Sequence, residues 1–195
     1  MALNLIFDRT DTDADRWFYL STKLDTKGWA GLTLDEQREW LTQLKGGYNH
    51  TDMNRVGTTM VYLGERFLDL LPHLVEYREG YSVADDPLFH MPYEAGDVDI
   101  KPKTDWELGD PVWIDQATRY LADLTVLRGL LPLYSKAPQV PEDLANLTVQ
   151  EANDIERLLF DIDEEITATT AKVEKWIRDT VAAWMYSGDV LSGEV

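Results

Sequence analysis

Cysteine is missing from this chain, and with it every disulfide, thiolate metal site and cysteine nucleophile. Histidine is scarce. His50, His73 and His90 all stand apart, so no His-Glu-x-x-His or His-x-x-x-His metal pattern exists. Basic residues are few beside acidic ones, 18 against 36, for a formal net charge of −18. Lys and Arg supply most of the affinity of proteins for nucleic acids and anionic bilayers, so neither is an expected partner. No apolar run approaches the roughly 18 residues that cross a membrane. The opening Met1 to Arg9 has no basic region and its apolar run stops at Asp8, which does not read as a secretion signal. Gly-x-Gly-x-x-Gly, P-loop and Gly-x-Ser-x-Gly motifs are also missing. These absences leave basic proteins, divalent cations and neutral small molecules as partners. An acidic coat that keeps the chain soluble accounts for the charge most simply.

What is present is enough to fold. The 195 residues are 44% hydrophobic and include 7 Trp, 9 Tyr and 5 Phe, as suits one domain with a sizeable core. Helical spacing predicts an all-α bundle. A first helix runs from about Asp13 to Lys23. A second opens on the capping box Thr33-Leu34-Asp35-Glu36, runs through Trp40, Leu41 and Leu44, and stops at Gly46-Gly47. A third carries Met53, Val56, Met60, Leu63, Phe67 and Leu70, in alternating steps of three and four, and is expected to end at Pro72. From 73 to 106 the pattern dissolves into a long irregular loop with Tyr77, Tyr81, Phe89 and Tyr93, the segment expected to touch a partner. Asp110-Pro111 reads as the start of a fourth helix, with Ile114, Ala117, Leu121, Leu124, Leu127 and Leu131 as its stripe.

The last helix opens on a second capping box, Thr148 to Glu151, and meets no Gly or Pro until Gly188. Its stripe is Ile155, Leu159, Ile162, Ile166, Thr169, Val173, Trp176 and Thr180. Unbroken, it is roughly 55–60 Å long. Such a rod lies against another chain, protrudes as a stalk or folds back within one bundle, and a kink is possible at Thr167 to Thr170. The expected organisation is a single domain over 1–195. It comprises N-terminal helices to 72, the 73–106 loop, C-terminal helices over 107–187 and a flexible tail at 188–195.

Two helix starts resemble each other. Asp52-Met53-Asn54-Arg55-Val56-Gly57 aligns with Glu151-Ala152-Asn153-Asp154-Ile155-Glu156, and Met60 and Leu63 match Leu159 and Ile162. Asn54 and Asn153 fall in a first turn, where an amide can bond a neighbouring loop or helix. Such repetition favours a scaffold of similar helical hairpins over an asymmetric cleft. Other acidic motifs do not rise to sites. Asp11 to Asp15 imitates a calcium loop but has Arg16 and Thr22 where Gly and Glu are required. Glu151 and Asp154, with the cluster Asp161, Asp163, Glu164 and Glu165, evoke a Mg²⁺-dependent nucleotide pyrophosphohydrolase. Here the paired glutamates follow Glu-x-x-Asp on the same helix, an order that does not fit. No catalytic, cofactor-binding or metal-ligating residue is expected.

Several stretches together carry a further likeness. They are Asn4 to Thr10, Lys27-Gly28-Trp29, Gly47 to Gly57, Lys103-Thr104-Asp105-Trp106, Leu147-Thr148 with Glu151 to Glu156, and the terminal Ser187-Gly188-Asp189 and Ser192-Gly193-Glu194. The combination resembles small structural proteins of tailed phages and prophages of Gram-positive gut bacteria, from the tail, baseplate or fibre region. Relative to them, about Val83 to Ile100 looks like an insertion. The resemblance implies a virion component without enzymatic residues, made in the host cytoplasm. It would oligomerise with itself and pack against other virion proteins. An acidic inhibitor, either a DNA mimic or an antitoxin, is the alternative, and the pyrophosphohydrolase is a third.

Overall fold

Helices in the computed structural model begin where side chains can occupy the free amides of a first turn. Residues 3–42, 44–80, 88, 98–133 and 136–189 are described. Helix α1 (Asp11–Lys27) is capped by Thr10 and Asp13, each accepting the other's backbone N–H. A 3-10 turn (Trp29–Gly31) leads to α2 (Leu34–Thr42), capped reciprocally by Thr33 and Glu36. Helix α3 (His50–Gly80) opens under the Asn49 side chain, which accepts the Thr51 N–H at 2.8 Å. Helix α4 spans Ile114–Gly129. Helix α5 (Val149–Asp189), 41 residues long, opens on the expected Thr148–Glu151 box. The protein is an all-α bundle with one very long C-terminal helix, and no strand occurs among the described residues.

Three expectations need correction. Helix α3 does not stop at Pro72 but runs to Gly80, so the supposed 73–106 loop begins as helix. Proline removes one backbone hydrogen bond. The turns beyond it bury Leu74 and Tyr77, which continue the three–four alternation and hold the helix in place. Asp110-Pro111 does not start α4. The Asp110 carboxylate instead accepts the Glu107 N–H at 3.1 Å and the Lys103 ammonium at 2.8 Å, closing a turn, and α4 starts at Ile114. Ile114 itself is exposed and not part of a core stripe. Residues 188 and 189, assigned to the tail, end α5. Most of 81–97, including Tyr81, Phe89 and Tyr93, lies outside the described residues, as do 190–195.

The core is a two-helix seam. Helix α3 buries Met53, Val56, Met60, Leu63, Phe67, Leu70, Leu74 and Tyr77. Helix α5 answers with Ala152, Ile155, Leu159, Ile162, Ile166, Thr169 and Val173, followed by the half-buried Trp176. Each residue of the second set follows its counterpart at one constant offset along the chain, and both keep the heptad steps of a coiled coil. The helices run parallel and in register. Arg55 meets Glu156 near the start, Arg66 meets Asp163 in the middle, and Tyr77 meets Trp176 edge-to-face at 5.3 Å near the end of α3. Helix α5 thus folds against its own chain over this length. It is unbroken through Thr167 and Thr170, whose hydroxyls donate to the carbonyls of Asp163 and Ile166. Helix α4 closes the core with Tyr120, Leu124 and Leu127.

Two extended arms lie against this seam, each antiparallel to a long helix. The 98–106 arm descends α3, and Gly57 and Gly64 let it come close. A Cβ at Gly57 would sit 3.0 Å from the Lys103 carbonyl oxygen, and one at Gly64 would sit 3.0 Å from Ile100 Cγ1. The 3–10 arm descends α5, with the Phe7 ring tilted against Phe160 at 5.8 Å and Ile6 beside Glu156.

Candidate functional site

The two asparagines of the sequence repeat perform the same act in space. Asn54 accepts the Trp106 N–H at 2.7 Å and donates to the Trp106 carbonyl at 2.8 Å. Asn153 accepts the Arg9 N–H at 3.0 Å and donates to the Arg9 carbonyl at 2.9 Å. An amide side chain presents one donor and one acceptor side by side, as a strand backbone does, and so can satisfy both polar groups of one residue. The clamps are exchanged. The helix of the first half (α3) holds the arm of the second, and the helix of the second half (α5) holds the arm of the first. The chain thus repeats one arrangement, an extended arm held by an asparagine near the start of a long helix. The short helices fall outside the repeat: α4 packs on both long helices, whereas α1 packs chiefly on the 3-10 turn.

Between the clamps lies a buried cluster of two guanidinium groups and two carboxylates. Arg9 Nη2 is 2.8 Å from Asp52 Oδ1 and 2.6 Å from Glu156 Oε1. Arg55 forks onto Glu156, with Nε 3.0 Å from Oε2 and Nη2 2.6 Å from Oε1, and also pairs with Asp52. Glu156 is completely inaccessible to solvent. Its Oε2 also accepts the Ile6 N–H at 2.6 Å, so the first arm and the start of α3 are both bonded to this one carboxylate of α5. The Arg9 fork is completed by the Ile6 and Lys45 carbonyls, and Asp52 accepts the Asn49 N–H at 3.0 Å. Burial works against the charge on Arg55, but Glu156 and Asp52 prevail and raise its pKa above the usual value. The Tyr48 and Tyr120 hydroxyls bond each other at 2.7 Å, and burial pushes both phenols well above their ordinary range.

Charge balances within the cluster, and each carboxylate already accepts several donors. Its chemistry is structural: it joins the first arm to the starts of both long helices. Above it opens a groove of about 780 Å³, lined by Trp40, Leu41 and Leu44 of the α2 end, by Leu108, and by His50 and Thr51 at the start of α3.

The acidic residues singled out from sequence do not converge. Glu151 caps Thr148, and Asp154 accepts the Gln150 amide. Asp161 pairs with Arg157, and Asp163 with Arg66. Asp13 caps α1. His50 lines the groove, His73 faces Glu76 at 3.9 Å, and His90 lies outside the described residues. No group of three or more His, Asp or Glu among the described residues is arranged to hold a metal ion. Sequence reasoning missed Arg9, Asp52, Arg55 and Glu156 as a set. The available signal was that each lies within a motif noted for other reasons. No described helix is long and apolar enough to cross a membrane. No protein family, curated protein or solved structure matches this chain.

Proposed function

We propose that this protein is a structural component of a phage virion, a tail, baseplate or fibre-base adaptor that works by helical packing and oligomerisation with itself and with other virion proteins. One observation carries the reading. The stretches that resemble phage structural proteins, Asn4 to Thr10, Gly47 to Gly57, Lys103 to Trp106 and Glu151 to Glu156, meet in one place. That place is an arm-and-helix lock whose polar groups are satisfied by one another. Shared motifs that build a lock speak for a shared scaffold.

Two further features agree with assembly as the task. Among the described residues, the six most exposed large apolar side chains, Phe18, Leu34, Leu41, Leu108, Trp113 and Ile114, all lie off the two long helices and are available to neighbours. The net charge of −18 holds free copies apart until a complementary surface docks. Mass spectrometry of gradient-purified particles induced from the source strain tests the proposal. The chain is expected at a fixed ratio to other tail proteins. Its restriction to the soluble lysate would overturn the virion reading and favour an acidic inhibitor of a basic enzyme.

A further inference from the structure

Leu108, Val112, Trp113 and Ile114 are 78%, 46%, 62% and 87% exposed, an unusual concentration of apolar surface on one short stretch. The stretch is pinned from several sides. Trp106, just before it, is buried, clamped by Asn54, and donates its indole N–H to the Lys103 carbonyl at 3.0 Å. Asp110 closes the turn onto the Glu107 N–H, Gly109 takes φ +92, and the Trp113 N–H is held by Gln116. A mobile loop would fold such side chains inward; this one is fixed as a ledge that displays them. Leu108 also lines the groove above the charge cluster, opposite Leu41, so ledge and groove form one continuous surface.

The charge around the ledge has a single sign. Asp105, Glu107, Asp110 and Asp115 fall between positions 105 and 115, and no Lys or Arg does. The nearest cations are committed: Lys103 to Asp110 and Asp105, and Arg119 to Asp123 and Asp99, while of the two that line the groove Lys45 pairs with Asp8 and Arg55 with Asp52 and Glu156. We infer that the 107–114 ledge, with the adjoining groove, is the docking surface for a different protein, whose contact segment carries apolar side chains flanked by Lys or Arg. A second copy of this chain would bring the same carboxylates against themselves. Like charges apposed at an interface cost several kcal/mol, which selects a basic partner. Trp113 has the size and exposure of an interface anchor.

The inference rests on the proposal that the protein works by assembly, and its test is separable from that one. The photoreactive p-benzoylphenylalanine replaces Ile114 in the full chain, in cells producing particles. A control carries it at Val181, an exposed position on α5. Irradiation is expected to join position 114, and not position 181, to one other protein, through a peptide with apolar residues beside Lys or Arg. Glu107→Lys with Asp115→Lys, confirmed folded by an unchanged thermal midpoint, is expected to reduce that product by on the order of tenfold or more. No product above the Val181 control, a product with a second copy of this chain, or a product indifferent to the charge reversals would each overturn the inference. The chain's presence in particles is read independently, so either proposal can fail alone.

Discussion

Replacing Glu156 by Gln keeps the shape of the side chain and removes its charge. In the native protein the carboxylate accepts from Arg9, from both arms of the Arg55 fork and from the Ile6 N–H. The glutamine retains one oxygen acceptor and brings an NH₂ group toward donors that cannot accept from it. Two guanidinium groups then share Asp52 alone, with Arg9 almost wholly buried. Leaving a buried charge uncompensated costs about 3–5 kcal/mol. For a domain of this size each kcal/mol moves the midpoint by about 2–4 °C, so Glu156→Gln is expected to lower it by roughly 6–20 °C. Reversible denaturation followed by far-UV circular dichroism measures this directly.

A cycle with Arg9→Met sharpens the argument. Arg9→Met and Glu156→Met singly each unbalance the cluster, whereas together they remove one charge of each sign and leave Arg55 paired with Asp52 on α3. The double variant is expected to lose less than the sum of the singles, by at least about 1 kcal/mol. A Glu156→Gln cost below about 1 kcal/mol, or strict additivity in the cycle, would refute the view that this cluster locks arm to helices.

Equivalence of the two amide clamps predicts that Asn54→Ala and Asn153→Ala resemble each other. Each strands both backbone groups of one arm residue and is expected to cost about 1–3 kcal/mol, from two hydrogen bonds of ordinary strength. Hydrogen exchange should show the 98–106 arm released in the first and the 3–10 arm in the second. Gly64→Ala places a methyl group 3.0 Å from Ile100 Cγ1 and is expected to destabilise by about 1–3 kcal/mol, with Ile100→Ala restoring most of the loss in chemical denaturation. The α1–α2 hairpin should be acid-labile. The Lys23 ammonium and the Thr33 N–H hold the Glu36 carboxyl down at about 2, from an ordinary 4.5, and Arg16 lowers that of Glu39. Depressed values mean that this stabilisation is complete above about pH 4.5 and is lost as pH falls toward 2. Amide exchange over residues 11–42 should therefore accelerate through that window before the α3–α5 seam responds.

The seam was legible because its signal is local and repeated. Met53 to Leu70 and Ile155 to Trp176 alternate threes and fours whatever their partner, and Thr33–Glu36 and Thr148–Glu151 box their own helices within four residues. The asparagine repeat was also visible, although what each amide would hold was not. Pro72 misled because the loss of one hydrogen bond is written in the sequence, while the pairing of Tyr77 with Trp176 that outweighs it depends on the register of two distant helices. Asp110-Pro111 satisfied the rule for a helix start, yet Lys103 and the Glu107 N–H compete for the same carboxylate and prevail. The arms have no period to detect. The charge cluster draws Arg9, the Asp52–Arg55 pair and Glu156 from three widely separated segments, so no window contains it.

Where the two halves agree and where they differ divides the molecule by task. The matched parts, the two arms, the amide clamps and the heptad seam, bury their apolar groups against each other. A closed pair of this kind has little left to offer a neighbour. The parts outside the repeat carry the most exposed apolar side chains among the described residues, Phe18 of α1 and Ile114 of α4 included. Leu34 and Leu41 lie on α2, and Leu108 and Trp113 lie on the turn that precedes α4. These exposed side chains are difficult to explain by stability, because they add nothing to the core. They are explained if contact with something outside the chain set them. On that ground, substitutions of Leu41 and Trp113 to Ser should leave the unfolding free energy within about 0.5 kcal/mol of native, as surface changes do, while removing the chain from whatever it assembles into. A large stability loss from either would return these residues to the core and remove that ground.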